Sequence, residues 1–403
     1  MINNMKENEC CGCTACINIC PVKCLGEYSN ELGFSYPIMN NKEDCIECKL
    51  CEKVCPTLKE IKTKSEPINS LCSYAKNNDI KSASTSGGIF TLLASKILDE
   101  GGYVYGAALI NPTLVKHIEV NSSEELWKLQ GSKYIESKLE DIFLVVKDRL
   151  QEGKKVLFSG VPCQIYGLLS FLGKDYDNLI CIDLLCYGVP SPKVWSKYLN
   201  FINKENKNIK YVNFRDKTYG WKNYSLKVVF EDGSQYLKEK NKDLFLSTYS
   251  KGGYIKSYCY RCKMKGFPKK SDITLGDFWE VDRVDSDFND DKGMSAVFIN
   301  SAKGQNLYNE IINETNYLEI TAERLDEISP RIGAPSKLHK NRDIIIKEID
   351  NMPIDVILKK YAMPTRVDKV KNIIRISLRK IGVWDGLNKI LEDKKARRNI
   401  NEK

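Results

Sequence analysis

Cys10–Pro21 reads CCGCTACINICP and Cys45–Pro56 reads CIECKLCEKVCP. Each spells C-x2-C-x2-C-x3-C-P, and the second repeats the first at an offset of 35 residues. Three thiolates spaced by two residues wrap one face of an iron–sulfur cube, while the fourth, carried off by the proline turn, points to the other cube. The spacing therefore predicts one 4Fe–4S cluster on Cys10, Cys13, Cys16 and Cys55, and a second on Cys45, Cys48, Cys51 and Cys20, with Cys11 and Cys24 as spares. A pair of zinc ribbons also uses C-x2-C pairs, but zinc needs neither the third cysteine nor the terminal proline, twice. Residues 1–62 read as a two-cluster ferredoxin-like domain.

The rest of the chain sets bounds on this reading. At ~150 residues per domain, 403 residues predict two or three domains. The apolar fraction of 42% and charged fraction of 29% are those of a soluble globular protein able to bury a core. No run approaches ~18 apolar residues, and the first eight residues carry no apolar stretch, so a spanning helix and a secretory signal are not expected and a cytoplasmic chain is. Sixteen cysteines in such a chain read as metal ligands rather than disulfides. Only His117 and His339 are present, which argues against Ser-His-Asp catalysis and Cys2His2 zinc. The net charge of +9 is uneven: from Arg366 to Lys403 there are 12 Lys/Arg against 5 Asp/Glu, leaving +2 for everything before.

Thr57–Pro67 is charged, aperiodic and closed by proline, as a linker is. Beyond it, Ile89–Leu98 and Ile165–Leu172 have helical spacing. Gly102–Ile110, Lys155–Phe158, Leu179–Leu185, Leu226–Phe230 and Ile273–Phe278 read as strands. Apolar strands alternating with helices predict an α/β domain with a mostly parallel sheet covered on both faces. The domain divides into 70–150 and 151–320, followed by a helical tail, 321–403.

A second cysteine set lies in this domain. Cys259 and Cys262 form a C-x2-C that alone fits zinc, a redox dithiol or a cluster. Cys163 follows one strand and Cys186 another, so a parallel sheet places both past carboxyl ends of strands, where such sheets bind ligands. Cys163, Cys186, Cys259 and Cys262 are thus expected to hold a third 4Fe–4S cluster, with structural zinc or plain buried thiols as the alternative. Cys181, mid-strand, reads as core. Ser84-Thr85-Ser86-Gly87-Gly88 precedes a helix in the manner of a phosphate-binding turn, or of an ordinary helix start. Gly131-Ser132-Lys133-Tyr134 is a second small-plus-cationic stretch, and neither is a standard nucleotide fingerprint. Because clusters move single electrons and organic substrates usually exchange two, a flavin is the expected converter.

The order of these elements resembles the coenzyme F420 hydrogenase/dehydrogenase β-subunit family. The matching stretches are SASTSGGIF (82–90), GSKYIES (131–137), LFSGVPCQIYGLLSFL (157–172), CYGVPSPKVWSKYL (186–199), FRDKTYGW (214–221), CYRC (259–262) and SDITLGDFW (271–279). They cover roughly 70–310. The family, which is similar to 7-hydroxymethyl chlorophyll a reductase, implies FAD beside a 4Fe–4S cluster and hydride chemistry at the flavin. By position, Ser84, Ser86, Gly87, Gly88, Gly131, Ser132, Lys133 and Tyr134 would line the flavin. Two positions depart from the family pattern: Tyr187 stands where many members have His, and Glu280 where Gly is usual. The Lys/Asn/Ile-rich composition suits an AT-rich, anaerobic bacterium, many of which lack coenzyme F420, so a polysaccharide-pathway intermediate joins F420 as a candidate substrate.

Val367, Val370, Ile374, Leu378 and Ile381 make an apolar stripe at helical steps among Arg366, Lys369, Lys371, Arg375, Arg379 and Lys380. Such a helix lies on an anionic membrane face or docks on its own domain. Nucleic acid is not expected, for want of aromatic platforms. The expectation is an oxidoreductase served by a ferredoxin-type protein or a partner oxidoreductase subunit, with Lys133, Tyr134 and Asp277 as proton-donor candidates by polarity alone. The rivals are an electron-transfer subunit without a substrate of its own and a zinc-binding structural protein.

Overall fold

The computed structural model describes residues 2, 5–59, 66–267, 269–321, 324, 333–362 and, in the tail, 370, 373, 374, 377 and 378. Residues 60–65 of the expected linker, and in the tail Val367, Ile381 and the cations Arg366, Lys369, Lys371, Arg375, Arg379 and Lys380, lie outside the described residues. The strands are β1 (Leu25–Ser29), β2 (Ser35–Met39), β3 (Asn69–Ala75), β4 (Tyr103–Asn111), β5 (Leu114–Val120), β6 (Ser137–Lys138), β7 (Val156–Gly160), β8 (Leu179–Leu184), β9 (Ile209–Asp216), β10 (Ser225–Phe230), β11 (Gln235–Glu239), β12 (Ile273–Asp277), β13 (Ser295–Ile299) and β14 (Thr315–Glu319).

Nine of them form one sheet in the order β14-β3-β13-β12-β8-β7-β4-β5-β6. Its centre, β4-β7-β8-β12, is parallel, as the continuous apolar runs predict. The flanks β12-β13-β3-β14 and β4-β5 are antiparallel. Alternation along the strands splits the buried residues between two faces. On one, Leu157, Ile182 and Leu275 pack with Leu92, Leu93 and Ile97 of helix Ile89–Asp99 and Leu307 and Ile311 of helix Ala302–Ile311. On the other, Val156, Phe158 and Cys181 pack with Phe143 and Val146 of helix Ile142–Gln151 and Ile165, Leu168 and Phe171 of helix Pro162–Leu172. Cys181 is thus a core residue, as its mid-strand position suggests. Each large aliphatic or aromatic side chain removed from water here contributes about 1.5–3 kcal/mol.

A third layer holds the antiparallel β11-β10-β9 sheet. It shares a core with Trp195 and Tyr198 of helix Pro192–Ile202, Phe245 of helix Leu244–Tyr249 and Leu358 of helix Ile354–Ala362. Leu32, Phe34 and Tyr36, from the β1-β2 hairpin region of the cysteine-rich segment, enter this same core. The front segment is therefore built into the body rather than tethered to it. Among the described residues no helix is long and apolar enough to cross a membrane.

Candidate cluster and redox-cofactor site

The 35-residue repeat extends to backbone conformation. Gly12 and Thr14 adopt positive φ, and so do Glu47 and Lys49, their counterparts one repeat later. A four-residue helix follows each, Ala15–Asn18 and Leu50–Lys53. Left-handed geometry costs a non-glycine residue roughly 1–2 kcal/mol, so Thr14, Glu47 and Lys49 hold it against preference. Alternating hand turns successive amide N–H groups toward one concavity, which suits an anionic sulfide core.

Cys10, Cys13, Cys16 and Cys55 gather as the spacing predicts: the thiol of Cys16 feels the charges of Cys10 and Cys55, and that of Cys13 feels Cys16 and Cys10. Burial, then mutual repulsion, pushes the Cys16 thiol well above the usual thiol range. Such a group becomes thiolate only beside a compensating positive charge, which an iron core supplies. Cys20, Cys45, Cys48 and Cys51 line a cavity of about 170 Å³ with Ile2, Val22 and Met39. The spare Cys24 stands with this set, its Sγ 3.4 Å from Cys20 Sγ. Cys48 is exposed, whereas Cys13, Cys16 and Cys55 are buried, so the second quartet is the outer one.

Cys163 heads helix Pro162–Leu172 directly after β7, Cys186 follows β8, and Cys259 and Cys262 sit on the 3-10 turn Ser257–Arg261 and its cap. The three stretches meet beyond the carboxyl ends of the parallel strands. Each of these four thiols lies within electrostatic reach of the other three. Burial raises the Cys186 thiol to about 12. Gly188 closes the site: with φ +147, a Cβ there would stand 3.2 Å from that of Cys259. Lys256 and Lys265 both act on these sulfurs, and Lys269 acts on Cys262, so cations surround a set that would carry net negative charge with its cluster. Tyr258 Oη is buried without a hydrogen-bond partner beside Cys11, Cys163 and Cys262, and the orphan Tyr36 Oη lies near Cys10. Donors buried without acceptors are costly unless a bound group accepts from them, and cluster sulfur is such an acceptor. Among the described residues no three His, Cys, Asp or Glu side chains close tightly enough to hold a single ion.

The first and third quartets adjoin. Gly167, one turn after Cys163, faces Cys13 so closely that a Cβ would meet Cys13 Cβ at 2.8 Å. Cys11, left over by the spacing rule, lies within interaction reach of both Cys13 and Cys163. No sequence signal gave Cys11 this bridging place.

The expected flavin-lining stretches also meet. Ser132 N donates to Thr85 Oγ1 at 2.8 Å, and Gln130 Nε2 to Thr91 Oγ1 at 3.1 Å. Gly87 packs against the ends of the interior strands β3 and β13, its N–H on Ser295 Oγ at 3.0 Å, with no room for a side chain against Ser73 O. Ser84 Oγ donates to Ile80 O and Ser86 Oγ to Met294 O, so both hydroxyls serve the loop. Gly88, with φ +86, opens helix Ile89–Asp99, whose first turn has no side-chain cap. Lys133 Nζ donates to Gln130 O (2.7 Å) and Lys128 O (3.1 Å), and burial lowers it to about 7. Tyr134 Oη accepts from Arg215, which grips Asp277 through two hydrogen bonds of 2.9 and 3.2 Å. Burial works most strongly against the Arg215 charge, and Asp277 together with Tyr134 and Tyr224 offsets it. Its guanidinium lies 4.1 Å from the Tyr224 ring and 4.8 Å from that of Trp279. Asp277, a proton-donor candidate by polarity, is thus an ion-pair partner, and Lys133 is the candidate whose acidity suits neutral pH. Tyr187, beside Cys186, leads through Tyr249 (5.5 Å between centroids) to Tyr134 (4.9 Å), joining the third quartet to these stretches.

Residues 153–325 match the family described as the C terminus of the coenzyme F420 hydrogenase/dehydrogenase beta subunit, and residues 9–61 match the 4Fe-4S dicluster domain. An uncharacterized protein of the rpl9-rpl11 intergenic region of Porphyra purpurea is 35% identical over 69 residues, 17% of this chain and 91% of that protein. An uncharacterized protein of Methanocaldococcus jannaschii is 25% identical over 215 residues, 44% of this chain and 58% of that protein. The chain thus spans just over half of the archaeal relative. A chain in the xenon-derivatized F420-reducing NiFe hydrogenase complex from Methanosarcina barkeri superposes with a TM-score of 0.46 at 18% identity, over 73% of this chain and 96% of that chain.

Proposed function

We propose that the chain is an iron–sulfur flavoprotein oxidoreductase of the coenzyme F420 hydrogenase/dehydrogenase β-subunit family, a reading supported by the match of residues 153–325 to the C-terminal part of that family and of residues 9–61 to the 4Fe-4S dicluster domain. In this reading three 4Fe–4S clusters and FAD supply one-electron transfer and its conversion to two-electron, hydride chemistry on a small substrate, coenzyme F420 or a polysaccharide-pathway intermediate. The observation that carries it is the convergence of Cys163, Cys186, Cys259 and Cys262 from three stretches, next to the first quartet and one tyrosine chain from the Thr85–Ser132 contact.

The residues divide the work. The cysteines hold metal. Tyr258 and Tyr36 donate to whatever acceptor the quartets bind. The uncapped start of helix Ile89–Asp99 favours an anionic group such as a cofactor phosphate. Asp277 and Tyr134 fix Arg215, and Lys133, which burial brings down to about 7, can give or take a proton near neutral pH. The exposed side of the second quartet suits a ferredoxin-type donor or a partner oxidoreductase subunit.

Anaerobic purification tests this. About 12 Fe and as much sulfide per chain, no Zn, and extractable FAD are expected from three cubes and a flavin. About 4 Zn, or a colourless preparation free of sulfide and flavin, would overturn the reading. Turnover of a small acceptor by the isolated chain separates an enzyme from an electron-transfer subunit that feeds a partner.

A further inference from the structure

Lys256 occupies the wall between the first and third quartets. It is 1% exposed. Its Nζ donates to Glu136 Oε1 at 2.6 Å and to Ser35 O at 2.8 Å, while Glu136 Oε2 accepts from Ser35 N at 2.8 Å. The ammonium also lies 4.3 Å from the Tyr36 ring centroid. On the backbone, Lys256 N donates to Val189 O, in the loop after Cys186, and Lys256 O accepts from Cys259 N, both at 2.9 Å. On its far side Nζ rests against Gly12, between Cys10 and Cys13: a Cβ at Gly12 would stand 2.3 Å from it. One buried cation therefore touches the ligand loop of the first quartet and braces two of the three ligand stretches of the third. Cys10 and Cys163 each feel Lys256 more strongly than they feel its partner Glu136, so the ion pair turns its positive end to both sets of sulfur.

We propose that Lys256 is a fixed internal charge shared by the first and third centres, biasing both toward their reduced states relative to the outer, second centre. The inference rests on the reading that the quartets hold 4Fe–4S clusters. Adding an electron to a cluster increases its negative charge, and a nearby positive charge in a low-dielectric interior stabilises that form more than the oxidised one. The exposed second quartet, screened by water, gains least from such a charge. Lys256 is a positioning residue: it acts through the potential of groups it does not ligate.

The test uses the full chain purified anaerobically, with iron and sulfide analysis and redox titrations followed by electron paramagnetic resonance. Lys256→Met should keep its iron while the reduction equilibrium of the first and third centres falls roughly tenfold, about 59 mV for one electron, and the second stays put. Lys256→Arg should restore most of the shift. Glu136→Gln, which leaves the cation without its counter-charge, should move the same two centres the opposite way. Iron-replete Lys256→Met with unmoved potentials overturns the inference and leaves the cluster reading standing. If Lys256→Met does not hold its clusters, unmoved potentials in Glu136→Gln overturn it equally. A wild-type chain without iron removes the cluster reading, and this inference with it.

Discussion

Gly167→Ala isolates the contact on which the adjacency of the first and third quartets depends. In an exposed helix interior, alanine is favoured over glycine by about 1 kcal/mol. Gly167 lies in helix Pro162–Leu172, but a Cβ there would stand 2.8 Å from Cys13 Cβ, 3.1 Å from Cys13 Sγ and 3.3 Å from Cys13 O. Cys13 has little freedom to retreat, flanked by Gly12 and Thr14 in left-handed conformations. Overpacking of this kind costs about 1–3 kcal/mol. The two terms oppose, and the net is a destabilisation of roughly 0–2 kcal/mol, concentrated where Cys13 must hold its ligand geometry. Anaerobic thermal unfolding with iron analysis and paramagnetic resonance reads both consequences. The expected result is a lower melting temperature and loss of the first centre's signal with the second retained. Gly167→Leu should do the same more severely. A Gly167→Ala protein that melts higher and keeps full iron would refute the close approach of this helix to Cys13.

Cys259→Ser should reduce iron by up to one cube while the signals of the two N-terminal centres persist; unchanged iron removes Cys259 from the ligands. His117 is buried, its ring nitrogens engaged by Ser137 Oγ (2.7 Å) and Ser159 O (3.1 Å), and burial lowers its pKa to about 4. The unfolded chain then binds a proton before the folded one does. Stability is intact above pH 6.5 and is lost as pH falls toward 4, by up to about 3 kcal/mol. Denaturation midpoints of His117→Gln should lack that loss, and identical pH curves for the two proteins would contradict it. Asp183 and Lys269 form a fully buried pair at 3.1 Å. Asp183→Ala should cost about 3–5 kcal/mol by stranding the ammonium, and Asp183→Leu with Lys269→Met should regain most of it; a double variant as unstable as the single would show that the pair is not the cause.

What the sequence disclosed, and what it hid, follows from range. The N-terminal quartets were readable because three ligands of each lie within seven residues and a proline marks the fourth. The central strands were readable because β7 and most of β8 are buried on both faces and carry short, largely apolar runs, and the apolar residues of β12 are buried as well. Asn69–Ala75 was not, since Asn, Ser and Tyr interrupt it and its place between β13 and β14 depends on distant partners. The β1-β2 hairpin was masked by the cysteine pattern around it. Lys256 and Glu136 are 120 residues apart, and Arg215 and Asp277 are 62 apart; no local rule joins such pairs. Cys11 looked superfluous because the spacing assigns each N-terminal quartet without it, while its neighbour Cys163 lies in another domain.

The exposure of Cys48, set against the buried Cys13, Cys16 and Cys55, arranges the quartets as a rind and a pith. On the reading proposed above, air would corrode the rind first. Brief oxygenation should strip about a third of the metal and silence traffic with outside carriers, yet leave the inner pair of cubes able to exchange electrons with each other.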